Sequence, residues 1–395
     1  MSKKCEICEA DIRILKSGSM PSEDATLPKL TIADLFAGCG GLSLGIQRAA
    51  RDLGYSLDVR LAVDYDEVAI EVYRASFKNA RIECKPIEEM FDGKSDSSPT
   101  DTESALQSEV GQLDILLGGP PCQGHSNLNN HSRRDDDRNG LYLYMARAAE
   151  LLRPSAIIVE NVPTVTSDVR ESVKKTVERL EEVGYKSEQT VVDLWKLGVP
   201  QKRRRHVTIA ALDHSIDLQA ILDELKEPIC EELPRGVGWA IGDLKDAIRP
   251  QLFDSPSQPQ AHTRIRIDWL FENDEFDLPN EHRPECHQTE HSYTAMYGRM
   301  SWDAPAQTVT TGFNSMGQGR YVHPCRRRVI TPHEAARLQM LPDYVDFGSV
   351  RTRKSLSTLI GNAVPPPLTF ELGKRLIPYL KDEPTSPPGC HKSGD

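Results

Sequence analysis

Asp34–Gly45 reads DLFAGCGGLSLG, and it follows an apolar run, Leu30–Leu35, with the character of a buried strand. A strand that closes on a glycine-rich turn and reopens as a helix from about Leu42 brings backbone amides and a helix N-terminus up to a ligand. A carboxylate or phosphate is the natural guest there. Further on, Asp64 ends a second strand candidate, Val59–Val63. An acid at that place can hydrogen-bond ribose hydroxyls. Together the two features favour a nucleoside-containing cofactor over a bare turn.

Outward from this stretch, apolar runs alternate with amphipathic ones. A helix is predicted over about Asp66–Phe77, strands at Leu113–Leu117 and Ala156–Val159, helices at Leu141–Leu152 and Ser167–Val183, and a late strand at His206–Leu212. Short β-branched runs separated by helices are the mark of a parallel sheet covered on both faces, so the fold class is α/β and doubly wound. Asp92–Gly111 is polar and reads as a solvated surface loop. The chain divides into a polar N-terminal tail (1–28), a catalytic domain (29–212), a smaller loop-rich domain (213–330), a helical segment returning to the first domain (331–383) and a frayed tail (384–395).

Composition bounds the function class. The 395 residues are 38% apolar and 27% charged, as in an ordinary soluble protein, and no apolar run is long enough to span a bilayer. The N-terminus lacks a secretory pattern, so a cytoplasmic place without membrane contact is expected; the chain is also expected to be a monomer. A net charge of −11 argues against a general coating of positive charge, though basic clusters occur at Lys202–Arg205, Arg326–Arg328 and Arg351–Lys354. Nine cysteines are too sparse and odd in number for a disulfide framework. Cys5-x-x-Cys8 invites a zinc reading, but no second pair lies nearby in sequence. Cys390 and His391 complete it only if the termini meet, so no metal is expected.

Three further segments carry chemistry. Gly118–Ser126, GGPPCQGHS, directly follows a buried strand, and a rigid Pro–Pro–Cys turn can present the Cys122 sulfur to a substrate beside the cofactor. Glu160–Asn161–Val162 ends the next strand and faces the same crevice. In Gln201–Arg205, QKRRR, the side chains of Arg203 and Arg205 point the same way if the chain is extended. A nucleophile, a carboxyl group and a guanidinium converging on one cleft suit attack on an electron-poor ring.

The ordered set FAGCGG, Pro–Cys–Gln, Glu–Asn–Val, Gln–x–Arg–x–Arg, EAARLQ (Glu334–Gln339) and GNAVPP (Gly361–Pro366) resembles the DNA (cytosine-5-)methyltransferase family, of the bacterial restriction–modification type. The resemblance implies an S-adenosylmethionine-dependent, Rossmann-like methyltransferase domain with a smaller, loop-rich target-recognition domain. It implies Cys122 as nucleophile towards carbon 6 of a flipped-out cytosine in double-stranded DNA. Glu160 holds ring nitrogen 3, Arg205 donates to the ring carbonyl, and Arg203 orders the pocket. For the cofactor, S-adenosyl-L-methionine, it assigns Phe36, Gly38, Gly40, Gly41, Leu42, Asp64, Tyr65, Pro120, Asn362 and Val364. For DNA it assigns Ser126 and Arg138, within a loop (Ser126–Asn139) that closes over the duplex, together with Gln201, Arg320 and Arg328. Arg264, Arg266, Arg299, Arg326 and Arg327 are further candidates.

The chain departs from the family pattern at Lys85–Pro86–Ile87, where an acid is common, at Leu359, where a glutamine is usual, and at His125, where phenylalanine is commoner. A cognate restriction endonuclease acting independently fits the family. A tRNA cytosine methyltransferase is the enzymatic alternative and a non-catalytic DNA-binding regulator the other. The size of the second domain favours DNA, and the presence of Cys122, Glu160 and Arg205 favours catalysis.

Overall fold

A computed structural model describes residues 5–22, 24–121, 137–167, 171–288 and 296–381. The strands are β1 (Lys29–Leu35), β2 (Ser56–Asp64), β3 (Ile82–Cys84), β4 (Ile115–Gly118), β5 (Ala156–Asn161), β6 (Lys186–Asp193), β7 (Gln201–Lys202), β8 (Arg204–Ala211) and β9 (Ala306–Gln307). The helices are α1 (Glu6–Leu15), α2 (Gly41–Asp52), α3 (Glu67–Ser76), α4 (Asp101–Val110), α5 (Leu143–Leu152), α6 (Ser172–Glu182), α7 (Leu218–Glu224), α8 (Val237–Ile241), α9 (Ala261–Glu272), α10 (Pro332–Leu338), α11 (Arg353–Asn362) and α12 (Pro367–Leu380).

Seven strands form one sheet in the order β3-β2-β1-β4-β5-β8-β6. Pairing is parallel from β3 to β5 and antiparallel on both sides of β8. The alternating pleat sorts the core. Ile32, Ala62, Leu117, Ile158 and Ile209 pack with α2, α3 and α12, whereas Ala33, Leu35, Leu116, Val159 and Ala210 pack with α4, α5 and α6. The expected α/β fold is thus present, and the carboxyl ends of β1, β2, β4 and β5 share one edge. Because β8 runs antiparallel to β5, its first residues arrive at that same edge, with Asn161 opposite His206.

Three expectations need correction, and one strand, β6, stands where none was expected. The 1–28 tail contains α1, whose Cys8, Asp11 and Leu15 are buried; Asp11 meets Arg48 at 2.7 Å and Arg235 at 2.7 Å. Its anchors are acidic and sulfur-bearing, so the segment looks solvated in sequence. Asp92–Gly111 likewise holds α4, started by a Thr100–Glu103 capping box. Glu103 is buried against Arg147, with Nε–Oε1 at 2.9 Å and Nη2–Oε2 at 2.6 Å, so a charge pair holds the helix where apolar residues were sought. The outer strand β6, KSEQTVVD, is mostly half-exposed and carries no apolar run. Finally, the main core continues past residue 212 through Ile216, Leu218, Val237 and Ile241. A separate small cluster, with Ile267, Leu270, Tyr297, Met316 and Val322, forms only further along the chain. Cys390, His391 and the 384–395 tail lie outside the described residues. Among the described residues no helix is long and apolar enough to cross a membrane.

The C-terminal segment folds back onto the first glycine turn. A Cβ on Gly41 would sit 2.2 Å from the Val364 carbonyl oxygen, and one on Gly45 would sit 2.2 Å from that of Pro366. Thr369 Oγ1 donates to the Leu42 carbonyl at 2.8 Å. The approach of α10 to the rest is fixed electrostatically. Glu334 caps its own helix and takes the Arg328 fork at 2.7 Å through each oxygen. Burial alone would raise this carboxyl, but the Arg328 and His323 contacts hold it at about 2.

Since the ordinary value is 4.5, the stabilisation is fully present above pH 4.5 and is lost as pH falls through 4.5 towards 2. Glu334→Gln is expected to cost about 3 kcal/mol at neutral pH and to flatten the acid limb of stability. Urea unfolding at pH 7 and pH 3 measures both; equal acid sensitivity in the variant would contradict the assignment.

Candidate active site

The glycine turn is built around strain and a carboxylate. Phe36 has φ 61°, Gly38 φ 54° and Gly40 φ 87°, so the chain reverses sharply before α2. Gly38 donates its amide to Asp64 Oδ2 at 2.8 Å, and Asp66 donates to Oδ1 at 2.9 Å. Asp64 therefore ties the turn to the end of β2, with lone pairs remaining on both oxygens. A Cβ on Gly40 would meet the Phe77 ring at 2.9 Å, which excludes any larger residue. Tyr65, 68% exposed, stands beside Asp64, while Leu42 is buried in the first turn of α2. Nothing lies within 4 Å of a Cβ built on Gly38, so the turn has an open face.

Beneath the turn, Ser43 donates to Asp34 Oδ2 at 2.6 Å and lies 2.8 Å from the Tyr73 hydroxyl. Burial pushes the Asp34 carboxyl up to about 7. Asp34 opens the DLFAGCGGLSLG stretch with no role expected of it, and its sequence signal is Ser43 in the first turn of α2. Cys39, within the same turn, is 2% exposed, and burial pushes its thiol up to about 12, which makes it inert.

Glu160 is the chemical centre among the described residues. It is 6% exposed at the end of β5, and Arg205 Nε lies 2.5 Å from its Oε1. Burial pushes its carboxyl above the ordinary range, against the opposing charges of Arg205 and Arg203. A Cβ on Gly119 would lie 3.7 Å from Glu160 Oε2 and 3.9 Å from Leu42 Cδ1. The carboxyl group therefore faces the Gly119–Pro120 turn and the start of α2. Asn161 Nδ2 donates to the Pro120 carbonyl at 3.0 Å, which fixes that turn against β5. Cys122 follows Pro121 directly in the chain; Cys122, Ser126 and the side chain of Arg138 lie outside the described residues.

Arg203 and Gln201 do different work from that of Arg205. Arg203 is 2% exposed, with Nη1 on the Val309 carbonyl at 2.9 Å and Nη2 on those of Gly361 and Ala363 at 3.3 and 3.2 Å. It is a positioning residue that holds the turn between Asn362, which is exposed, and Val364, which is partly buried. Gln201, expected at the DNA, is wholly buried. It donates to the Leu338 carbonyl at 2.8 Å and to Gln339 Oε1 at 2.7 Å, and accepts from the Val309 amide at 3.0 Å. Gln339 in turn donates to the Ile360 carbonyl at 2.6 Å.

Two recognition arginines are likewise spent inside the protein. Arg328 is held by Glu334, and Arg320 by Asp277 and by the carbonyls of Phe276 and Arg299 at 2.9 and 3.1 Å. Arg299 is buried, 2.8 Å from Asp274. A run of positive charge looks the same in sequence whether its partner is a phosphate or an internal carboxylate. Lys245, Arg264, Arg326, Arg327 and also Arg328 line a groove that remains open, although Arg326 pairs with Asp246, Arg327 with Asp268 and Arg328 with Glu334.

Arg203→Met would strand the carbonyls of Val309, Gly361 and Ala363 in the interior. At about 1–3 kcal/mol for each unpaired group, a loss of at least about 3 kcal/mol is expected in urea unfolding. A loss under about 1 kcal/mol would show that the contacts are dispensable.

A family model described as C-5 cytosine-specific DNA methylase matches residues 30–378. The chain is 42% identical over 359 residues to the Type II methyltransferase M1.BsuMI of Bacillus subtilis (strain 168), covering 91% of this chain and 83% of that one. It is 31% identical over 363 residues to the Type II methylase M.HgiDII of Herpetosiphon aurantiacus, covering 89% and 96%. Among solved structures, the Entamoeba histolytica methyltransferase EhMeth superimposes with a TM-score of 0.60 at 18% identity, covering 90% of this chain and 99% of that one, a likeness of fold. The chain belongs to the C-5 cytosine-specific DNA methylase family and is a DNA (cytosine-5-)-methyltransferase.

Proposed function

We propose that the protein transfers a methyl group from S-adenosyl-L-methionine to carbon 5 of a cytosine flipped out of double-stranded DNA, at a specific sequence, through a covalent bond to Cys122. The observation that carries this reading is the buried Glu160–Arg205 pair facing the Gly119–Pro120 turn, one residue short of Pro121 and two short of the nucleophile.

The residues at the first turn suit the methyl donor. The open face at Gly38 and the N-terminus of α2 offer amides to a carboxylate, Asp64 keeps lone pairs for ribose hydroxyls, and exposed Tyr65 offers a ring to adenine. Phe36, Gly40, Gly41, Leu42, Pro120, Asn362 and Val364 form or support that cradle. When bound, the cofactor supplies a methyl group on a sulfonium centre.

The protein's own part is to make carbon 5 nucleophilic. The Cys122 thiolate attacks carbon 6, forming a carbon–sulfur bond and moving the ring electrons towards carbon 5. Glu160, whose carboxyl burial pushes above its ordinary range, passes a proton to ring nitrogen 3 and stabilises that density. Arg205, placed by Glu160, donates to the ring carbonyl. After transfer, loss of the carbon 5 proton and cleavage of the carbon–sulfur bond restore the thiolate. A stacked cytosine is not accessible from both faces, so it must leave the helix. Residues 213–330 are assigned to reading the target bases. With Gln201 buried and Arg320 paired internally, the groove lined by Lys245, Arg264, Arg326, Arg327 and Arg328 is the basic surface proposed to meet phosphates.

Cys122→Ala is expected to abolish methyl transfer and covalent trapping on duplex DNA carrying 5-fluorocytosine, with cofactor binding retained. Glu160→Gln should lower kcat by about 10²–10⁴. Trapping that persists in the alanine variant, or transfer to tRNA and not to duplex DNA, would overturn the proposal.

A further inference from the structure

The mechanism makes no use of three cysteines gathered behind the sheet. The sulfur atoms of Cys5, Cys8 and Cys230 all lie within 4.8 Å of one another, although 222 residues separate Cys8 from Cys230. Cys8 Sγ and Cys230 Sγ are 3.7 Å apart. That is well beyond the ~2.05 Å of a disulfide. It matches the sulfur–sulfur edge of about 3.8 Å that follows from zinc–sulfur bonds of about 2.3 Å in a tetrahedron.

We propose that Cys5, Cys8 and Cys230 bind a zinc ion through three thiolates, with an oxygen donor in the fourth position, and that this ion clasps α1 to the segment leading into α8. Cys5 is the N-cap of α1, where the helix N-terminus favours a thiolate, and Cys8 is buried one turn further on. Arg235 is buried between Asp11 at 2.7 Å and the Gly198 carbonyl at 2.9 Å, and its Nε has no partner among the described residues. A buried cation in this place balances the net negative charge of a zinc–thiolate group. A water molecule would supply the oxygen in the fourth position, on the side where Glu232 Oε1 accepts the Cys5 amide at 3.1 Å. Zinc binding would displace the thiol protons without any redox step.

This proposal stands apart from the catalytic reading and is tested on the full chain, purified under reducing conditions without chelator. Elemental analysis should find about one zinc per chain. Cys230→Ser and Cys5→Ser should lower it to background, whereas Cys84→Ser, at an exposed thiol elsewhere, should leave it unchanged. Cobalt(II) added to metal-stripped wild-type protein should give thiolate-to-cobalt charge transfer and the intense visible bands of a tetrahedral site. This measurement decides the matter even if the serine variants fail to fold. Wild-type protein that carries no zinc and gives no such cobalt spectrum would overturn the proposal, as would a Cys8–Cys230 disulfide persisting in the reduced, metal-free chain.

Discussion

The site depends on one buried guanidinium. Arg203 lies where the sheet, the 306–313 segment and the end of α11 meet, and its two terminal nitrogens serve backbone carbonyls on Val309, Gly361 and Ala363. A planar cation with a fixed fork reaches these three acceptors from two separate nitrogens, whereas a lysine would have to serve all of them from one. Through the Gly361–Ala363 turn it sets Val364, whose carbonyl abuts Gly41 at the start of α2. Two residues along the same chain, Arg205 emerges at the sheet edge and meets Glu160. The glycine turn at the start of α2 and the Glu160–Arg205 pair are thus placed by a single short stretch of backbone.

The division of labour within Gln201–Arg205 follows from burial. Gln201 and the terminal nitrogens of Arg203 are buried, and their acceptors are backbone carbonyls and the Gln339 side chain from distant parts of the chain. Arg205, at the rim, is left one strong partner and room for a substrate. Further along the chain Glu334, Asp277 and Asp274 pair with Arg328, Arg320 and Arg299, and of these acids only Glu334 is buried.

Local order fixed much in the sequence. The strand–turn–helix pattern around Asp34–Gly45, the short apolar runs of β4 and β5, and the Glu160 strand end were legible because side-chain periodicity and glycine are local signals. So was the ordered set of motifs that marks the family. What was not legible rests on partners distant in sequence. Helix α4 depends on Arg147, α1 on Arg48 and Arg235, and the third thiol beside Cys5 and Cys8 comes from residue 230.

The sequence by itself determined the fold class, the chemistry-bearing residue types and their order along the chain. Only the tertiary structure decided which charged side chains face a substrate and which are struts. Arg203 and Arg205 are the same residue type two positions apart, yet one is enclosed by backbone carbonyls and the other is paired with Glu160 at the cleft. The physical reason is that a buried charge takes its role from the acceptors the fold brings to it, and those acceptors lie more than a hundred residues away along the chain.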